Sequence, residues 1–484
     1  MMFKYRGTTI HLFSTKLVLL VLFTVCSIFA VFSLHEIIAL SSVKTLNSFP
    51  LSNGHLDSNQ PPTRLPSKDH AAVLGTYTVI MKAAVNENIN KTPLEERIYK
   101  TLHPTIRLSP NRSASLDVER LREIIRTANL REVMRNKDKF GTDFSQSAVV
   151  IIVQVHDRVD YFSHLLKSLS HAKGIEEALL IISSDLYSEE INRLVEEIDF
   201  CRVIHIFFPF SDQLYPNQFP GTDPNDCPRD IKREKAKEIG CNNADTPDSF
   251  GHYREAKFTM TKHHWWWKAN KVFDMLNATK SYVGPVLFLE EDYYVSPDFY
   301  HMLRLLYDRK MSGINEVCDF ITLGRYATVD NYGAVYDAHN LAELTYWRSH
   351  DHNMGLAFDR NTWNKIKKCS EVFCQTYDDY NWDWSLMKIS ASCLSKPFKS
   401  LVLVGTRVFH LGECGLHHKK KDCNIAATVE KYQSIIDRNS NNFFPSTVNI
   451  QPGNKGPVSK IGPNGGWGDS RDHALCFQLM KAKT

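Results

Sequence analysis

Three consecutive carboxylates, Glu290 to Asp292, follow a buried apolar run and are the first group in this sequence able to do chemistry. The run, Val286 to Leu289, comes directly after Gly284-Pro285 and predicts a central strand. Carboxylates at the end of such a strand repel one another and are costly to desolvate unless a cation neutralises them. Oxygen ligands favour Mg²⁺ or Mn²⁺, beside a phosphorylated ligand at the carboxyl edge of the sheet. A solvated acidic turn explains the triplet alone equally well.

A second candidate group is the aromatic run, Tyr377-Asp-Asp-Tyr-Asn-Trp-Asp-Trp384, which alternates carboxylates with aromatic rings. Flat apolar faces beside hydrogen-bond acceptors are what a sugar ring needs. A carboxylate here would serve as general base toward a sugar hydroxyl. From the run alone, Asp378, Asp379 and Asp383 are equal candidates for that base. Further along, His410 stands at the end of a predicted strand.

The elements that position these residues follow from apolar runs at Val149 to Val153, Ala178 to Ile182 and Val203 to Phe207. Predicted helices at about 160–173 and 188–198 separate them. This strand–helix order predicts an α/β fold with a parallel sheet, the nucleotide-binding half of a Rossmann-type domain. No GxGxxG is present, so a dinucleotide is not indicated.

Polar residues at the tips of these strands suit a nucleotide. Asp185 follows the second strand and would accept from ribose hydroxyls or a base, although a helix N-cap is a strong competing interpretation. Arg158, after the first strand, could pair with a diphosphate. A later helix carries three tryptophans, Trp265 to Trp267, which cannot share one face; we expect one at a cleft or a neighbouring element and the others in the core.

The amino-terminal segment predicts a membrane anchor. Leu17 to Leu34 contains no charged residue and is preceded by basic residues, which favours an uncleaved signal anchor over a cleaved signal peptide. We therefore predict a cytosolic tail at 1–16, a transmembrane helix at 17–40, a luminal stem at 41–110 and a catalytic domain at 111–484. The net charge of +4 gives no argument for a nucleic-acid partner.

The cysteines and sequons fit a luminal domain. Of 11 cysteines, all but Cys26 follow the apolar stretch. An oxidising compartment would make them disulfides, and their spacings match no zinc finger or ribbon. Asn90, Asn111 and Asn277 each begin a glycosylation sequon, which supports this topology weakly.

Longer motifs carry a resemblance that covers the chain from about Val149 to its end. They are Phe219-Pro-Gly221, Asp226-Cys-Pro-Arg-Asp230, Pro247-Asp-Ser-Phe-Gly-His-Tyr-Arg-Glu-Ala-Lys257, Thr261-Lys-His-His-Trp-Trp-Trp-Lys268, Phe288-Leu-Glu-Glu-Asp292, the aromatic run, and Asn464-Gly-Gly-Trp-Gly-Asp469. With these motifs the chain resembles the β-1,2-N-acetylglucosaminyltransferase II family, which acts on N-glycans.

The resemblance implies a GT-A glycosyltransferase fold with a Rossmann-like mixed sheet and a disulfide-stapled C-terminal part. It implies a type II Golgi membrane protein that transfers N-acetylglucosamine from UDP-N-acetylglucosamine to O2 of the α1,6-arm mannose of an N-glycan. The implied reaction is inverting and metal-dependent, with Asp383 as base and Mn²⁺ on Asp292 and His410. A homodimer is left open.

By the same likeness, one set of residues contacts the donor and another forms disulfides. The implied donor contacts are Gln154, Val155, His156, Asp157, Arg158, Asp185, Met260, Thr261, Lys262, His263 and His264. The implied disulfides join Cys227 to Cys241, Cys369 to Cys393, Cys374 to Cys476, and Cys414 to Cys423.

Two departures from the family pattern stand out. Asn315 occupies the position of the cysteine expected to pair with Cys318, so Cys318 and also Cys201 are expected to be free. Asp330 stands where the family places an arginine, which puts one substrate contact in doubt. Two alternative functions remain: a glycosyltransferase of the same fold that uses a different acceptor, and a catalytically inactive Golgi protein that binds glycans.

Overall fold

The computed structural model describes residues 114–144, 148–314, 318–329, 331–333, 337–412 and 424–481. The predicted tail, membrane anchor and stem lie outside these ranges, as do Asn315, Asp330, Cys414 and Cys423. Within the described ranges, every helix is too short or too polar to cross a bilayer.

Strands and helices alternate along most of the chain. The strands are β1 (Met134–Arg135), β2 (Val150–Val155), β3 (Leu179–Ser184), β4 (Arg202–Phe207), β5 (Val286–Glu290), β6 (Tyr293–Val295), β7 (Phe320–Thr322), β8 (Leu341–Tyr346), β9 (Leu356–Phe358), β10 (Lys399–Leu403), β11 (Val408–His410) and β12 (Asn449–Pro452). The helices are α1 (Ala114–Arg131), α2 (Lys137–Phe140), α3 (Val159–Ser170), α4 (Glu189–Glu196), α5 (Arg233–Ile239), α6 (Ala256–Asn270), α7 (Phe299–Arg309), α8 (Ser349–His352), α9 (Arg360–Lys368), α10 (Trp382–Ser392), α11 (Ile425–Arg438) and α12 (Ser470–Leu479).

A 10-stranded sheet runs in the order β1-β4-β3-β2-β5-β9-β7-β10-β8-β12. Strands β4, β3, β2 and β5 are parallel, whereas β9 pairs antiparallel with both β5 and β7. The chain leaves β2 in one direction through β3 and β4 and returns to its other side as β5, so the strand order reverses between β2 and β5. Ligands of open α/β sheets bind at such a point. The predicted α/β class with a Rossmann-like mixed sheet is confirmed.

Both faces of the central strands β2, β3, β4 and β5 are buried, which explains their continuous apolar runs. Along β2, Ile151 and Val153 pack into one core cluster while Val150 and Ile152 pack into the other. Because successive side chains point to opposite faces, a strand covered on both sides needs apolar residues at every position.

The disulfide prediction is confirmed where the structure describes the cysteines. Cys227 is bonded to Cys241, Cys369 to Cys393 and Cys374 to Cys476, while Cys201 and Cys318 are free and buried. The pairing of Cys414 with Cys423 lies outside the described residues.

Three local expectations can be compared with the structure. Leu121, Ile124, Ile125 and Leu130 lie at helical spacing and predict a helix over 116–138. The observed helix α1 ends at Arg131 because Glu132 and Asn136 take positive φ values of 45° and 60°, and β1 follows. Asp185 does not cap a helix, since Ser188 caps α4. All three tryptophans of α6 are fully buried, and Trp265 stacks on Trp382 of the neighbouring α10 at 4.6 Å between ring centroids, as expected for one of the three.

Candidate active site

A cleft of about 780 Å³ opens at the carboxyl ends of β2, β3 and β5, beside the point where the strand order reverses. The strand-end side of the cleft comprises Gln154, His156, Asp185 and Glu290 to Asp292, and the aromatic run faces the same space. The lining residues are Gln154, His156, Arg158, Asp185, Lys257, Met260, Thr261, Glu290, Glu291, Asp292, Tyr326, Asn353, Tyr380, Asn381, Trp382, Asp383, Trp384, His410, Gly412 and Asn464.

The acidic triplet is not a solvated turn, because Glu291 and Asp292 are 2% and 3% exposed. Arg158 compensates their charge: its Nε donates to Glu291 at 2.7 Å and its Nη1 to Asp292 at 2.8 Å. Arg158 therefore neutralises carboxylates here, although it still lines the cleft where a diphosphate was expected. Burial raises the pKa of Glu291 despite this partner, and burial together with the charge of Asp292 raises the pKa of Glu290.

A small two-stranded sheet brings Asp292 and His410 together. Strand β6, which follows Asp292, pairs with β11 so that Tyr293 lies opposite His410. At the other end of the paired strands β6 and β11, Nε of the fully buried Arg407 donates to Asp298 at 2.8 Å. Such a buried, hydrogen-bonded ion pair fixes how the two strands meet. His410 Nε2 thus lies 3.2 Å from Asp292 Oδ2, although the two residues are 118 positions apart in sequence.

The surroundings of this pair fit an oxygen- and nitrogen-liganded divalent cation. Asp292 Oδ1 is buried and has no hydrogen-bond partner. A Cβ on Gly412 would come within 3 Å of both Asp292 Oδ2 and His410 Nε2, so the glycine leaves space beside them. Across the described ranges no cluster of three or more His, Cys, Asp or Glu side chains could hold a metal, so the chain offers two ligands and a bound diphosphate would have to supply others.

The electrostatic surroundings of Asp292 and His410 also differ. Burial alone would raise the pKa of Asp292, but its hydrogen bond with His410 and the charges of His410 and Arg158 lower it to about 2. Burial disfavours the imidazolium of His410, yet Asp292 raises its pKa above the ordinary value. A carboxylate that is ionised at every physiological pH is what a cation requires.

On the neighbouring strand, Asp185 holds two histidines. His156 Nδ1 donates to Asp185 Oδ1 at 2.7 Å, and His264 Nδ1 lies 3.4 Å from Oδ2. The hydrogen bond to Asp185 raises the pKa of His156 to about 9, so the half-exposed ring is an imidazolium at neutral pH. Burial instead lowers the pKa of His264, which bonds Ser183 at 2.8 Å. His156 is therefore a cation facing the cleft.

Not every residue implied for donor contact reaches the cleft. Met260 and Thr261 line it, but Lys262, His263 and His264 are at most 1% exposed and their side chains contact protein instead. On β2, Val155 is likewise buried in the core, and Asp157 is exposed outside the lining. One turn of a helix can present only one face to a ligand, so five consecutive contacts from side chains are not geometrically available.

Lys262 has a different partner from the one the resemblance suggested. Its Nζ donates to the main-chain oxygen of Asp379 at 2.7 Å and lies 4.1 Å from the ring centroid of Trp467. Burial lowers the pKa of this lysine to about 7. Lys262 thus supports the aromatic run from behind.

Asp378 and Asp379 fasten that run to two distant loops. Asp378 accepts from the backbone N–H groups of Ser249 and Trp467, the latter at 2.9 Å. Asp379 is fully buried and accepts from the N–H of Asn464 at 2.9 Å. Neither carboxylate lines the cleft, and saturation by N–H donors does not suit a general base.

Asp383, in the first turn of α10, does line the cleft. Its Oδ2 accepts from Asn353 Nδ2 at 3.1 Å and its Oδ1 from the N–H of Trp384 at 2.9 Å. Burial raises the pKa of Asp383 to about 7, and the charges of Glu290 and Asp379 act in the same direction. A carboxyl with this pKa can accept a proton near neutral pH.

Sequence reasoning missed several residues of the lining. Tyr326 and Asn353 come from the loop after β7 and from the segment before β9, and Gly412 follows β11. Asn464 belongs to a motif that was noted only for its resemblance. None of these residues has a local pattern that marks a site, because each reaches the cleft through long-range packing.

Comparison with known proteins shows the family to which the chain belongs. A family model described as N-acetylglucosaminyltransferase II (MGAT2) matches residues 122–476. An alpha-1,6-mannosyl-glycoprotein 2-beta-N-acetylglucosaminyltransferase of Rattus norvegicus is 46% identical over 360 residues, which are 74% of this chain and 79% of the relative. The protein of the same name from Arabidopsis thaliana is 35% identical over 348 residues, 71% of this chain and 77% of its own length.

Similarity to solved structures is far weaker. The galactosyltransferase LgtC in complex with donor and acceptor sugar analogs aligns with 59% of this chain and 95% of its own, at 13% identity and a TM-score of 0.28. A superposition at this level carries no argument about the site.

Proposed function

The chain belongs to the N-acetylglucosaminyltransferase II family, and we propose that it transfers N-acetylglucosamine from UDP-N-acetylglucosamine to O2 of the α1,6-arm mannose of N-glycans. The proposed acceptor is a trimmed N-glycan that already carries N-acetylglucosamine on the other arm, and the product is a step toward complex N-glycans. One observation carries the proposal: a single cleft joins Asp383, with its pKa near 7, to the pair Asp292 and His410.

The proposed reaction inverts the anomeric centre. The mannose hydroxyl attacks the sugar on the face opposite the leaving UDP while Asp383 accepts the hydroxyl proton. Trp382 and Trp384 flank this carboxylate and offer apolar faces to the acceptor ring. Asn353, which donates to Asp383, keeps one carboxylate oxygen oriented. Positioning of the two sugars supplies much of the rate.

We assign the donor to the strand-end side. Asp292 and His410 would hold Mn²⁺, which when bound would neutralise the diphosphate and stabilise the leaving UDP. His156 adds a positive charge to the same side of the cleft. Asp185, 8% exposed, faces the cleft and is placed to accept from the ribose or the base.

We further propose a type II protein of the Golgi membrane with a luminal catalytic domain. The disulfides support passage through an oxidising compartment, since such bonds are rare in the cytosol. In intact Golgi vesicles, added protease should spare the chain beyond residue 41. Digestion of the catalytic domain would refute the topology.

The decisive experiment assays the purified domain beyond the stem with UDP-N-acetylglucosamine and several N-glycan acceptors side by side, with Mn²⁺, with EDTA and with Mn²⁺ restored. We expect a β-linked product on O2 of the α1,6-arm mannose, loss of turnover in EDTA and recovery with Mn²⁺. Proton NMR of the product reports linkage and anomeric configuration. Full activity in chelator would refute the proposed metal dependence, and an α-linked product would refute the inverting mechanism. Preference for another acceptor would refute the proposed acceptor glycan.

A further inference from the structure

A sequon lies at the end of the sheet that faces away from the cleft. Asn277-Ala-Thr279 forms the turn between α6 and β5. Helix α6 passes the cleft at Met260 and Thr261 and runs away from it, and β5 then returns toward the cleft and ends at Glu290. At a rise of about 1.5 Å per residue, the turn lies about 20 Å from the cleft.

The two ends of the sequon differ in exposure. Asn277 is exposed, whereas Thr279 is 1% exposed. The Thr279 hydroxyl donates to the carbonyl of Val272, and the backbone N–H of Asn277 donates to Glu132 at 2.8 Å. The folded turn therefore presents the asparagine side chain to solvent on a fixed backbone.

A second, independent observation supports an oxidising compartment for the chain that carries this turn. The bond between Cys374 and Cys476 joins residues separated by 102 positions and, like the other two disulfides, requires an oxidising compartment. In eukaryotes, Asn-x-Ser/Thr sequons on chains that enter that compartment are acceptors for glycosylation.

We propose that Asn277 carries an N-linked glycan. The proposal rests on the proposed luminal location of the domain. Asn277 Nδ2 forms a bond to the anomeric carbon of a lipid-diphosphate-linked oligosaccharide, the bond from that carbon to the diphosphate oxygen breaks, and Nδ2 loses one proton as the lipid diphosphate leaves. Because the folded turn buries the Thr279 hydroxyl, transfer takes place before the turn closes. The glycan then projects from the surface opposite the cleft and leaves it open to substrate.

The test uses the full chain expressed in cells that perform N-glycosylation. Peptide N-glycosidase F in H₂¹⁸O should convert Asn277 to ¹⁸O-labelled aspartate, read by mass spectrometry of its peptide. Asn277→Gln should migrate faster than the parent by one glycan and co-migrate with it after deglycosylation. The matched control Thr279→Ser keeps the sequon and a hydroxyl, so it should retain the glycan. Both variants should turn over like the parent, because the turn is remote from the cleft.

Two results would overturn the proposal, and they are distinguishable. An unlabelled Asn277 peptide from a chain whose Cys374–Cys476 bond is intact would refute glycosylation and leave the luminal location standing. Reduced cysteines together with an unmodified Asn277 would refute the location as well. Unchanged mobility of Asn277→Gln would agree with either refutation.

Discussion

On the strand-end side of the cleft, functional side chains extend directly from the last residues of β2, β3 and β5, whereas the aromatic run depends on loops far away in the chain. Glu290 to Asp292 follow directly from β5, and the charge of Arg158, which comes after the neighbouring strand β2, stabilises them. Asp379, by contrast, accepts from the backbone N–H of Asn464, which lies in a loop outside the helices and strands. Charge organises the first region and backbone hydrogen bonding organises the second.

From this difference we expect substitutions in the two regions to have different effects. A change on the strand-end side should alter binding of the cation and the donor. A change in or behind the aromatic run should alter proton transfer or acceptor binding and leave donor affinity alone. Single substitutions on the two sides of the cleft can test that separation.

Asp383→Asn should give the largest loss, because it removes the proton acceptor and keeps the shape. General-base loss typically costs about 10²–10⁴-fold in rate. Donor affinity should not change, since the donor is assigned to the other side of the cleft. Turnover at saturating substrates and calorimetric donor binding measure the two effects separately.

Asp378→Asn and Asp379→Asn are the matched controls. They remove the same charge from carboxylates that accept from backbone N–H groups, so they should lower thermal stability and raise the KM for acceptor while turnover persists. An active Asp383→Asn beside a folded but inactive control would show that the base is misassigned. Loss of donor binding in Asp383→Asn would break the separation itself.

Gly412→Ala should have the next largest effect, through its contact with Asp292 of the strand-end side. Gly412 does not require the left-handed conformation, so alanine is tolerated by the backbone, but its Cβ would press on Asp292 Oδ2 and His410 Nε2. Overpacking of this kind costs about 1–3 kcal/mol. We therefore expect about 10- to 100-fold weaker Mn²⁺ binding, measured by electron paramagnetic resonance titration, and weaker donor binding.

Gly456→Ala provides the control, since a Cβ there would meet no atom within 4 Å. It should leave Mn²⁺ affinity unchanged. If Gly412→Ala also binds Mn²⁺ like the parent, the cation does not occupy the space beside Asp292 and His410.

Lys262→Met should have a moderate effect on the aromatic run. The substitution keeps much of the side-chain volume and leaves the Asp379 carbonyl, which now accepts from Nζ, without its donor. An unsatisfied buried acceptor costs about 1–3 kcal/mol, so the KM for acceptor should rise about tenfold or the melting temperature should fall. Donor affinity should stay the same.

Thr261→Ala is the neighbouring comparison, because Thr261 lines the cleft whereas Lys262 does not. Here donor affinity should fall and acceptor KM should hold. The family resemblance implies donor contact for both residues, so a donor defect in Lys262→Met would favour that implication over the observed geometry.

The sequence predicted the strand-end side more completely than the aromatic run for a physical reason. A buried parallel strand requires an unbroken apolar segment, so the first polar residues after β2, β3 and β5 are visible directly in the sequence. The predicted helix boundaries were less accurate, as at Glu132, because a positive φ in a non-glycine residue has no sequence signature.

The support of the aromatic run could not be predicted in the same way. Gly465 and Gly466 both adopt positive φ, which lets the N–H of Gly466 reach Asp248 at 2.7 Å. This contact spans 218 positions and has no local pattern. From the local run alone, Asp378, Asp379 and Asp383 are therefore equal candidates. The fold separates them, because the first two accept from distant backbone N–H groups and do not line the cleft, whereas Asp383 lines it.

The smallest expected effect concerns pH and couples the two regions. Asp383 must be ionised to accept a proton, so turnover should rise with pH and level off above about 7, its raised pKa. After burial, a repulsive contribution from the Glu290 carboxylate helps to hold that pKa up. Glu290→Gln removes a like charge, which favours the ionised form of Asp383 and lowers its pKa. The inflection in the pH profile of kcat should therefore move to lower pH, by up to about one unit.

Glu291→Gln removes the same charge one residue along, from a carboxylate paired with Arg158, and should move the inflection less. An inflection that does not move, or moves upward, in Glu290→Gln would mean that the group titrating in turnover is not Asp383.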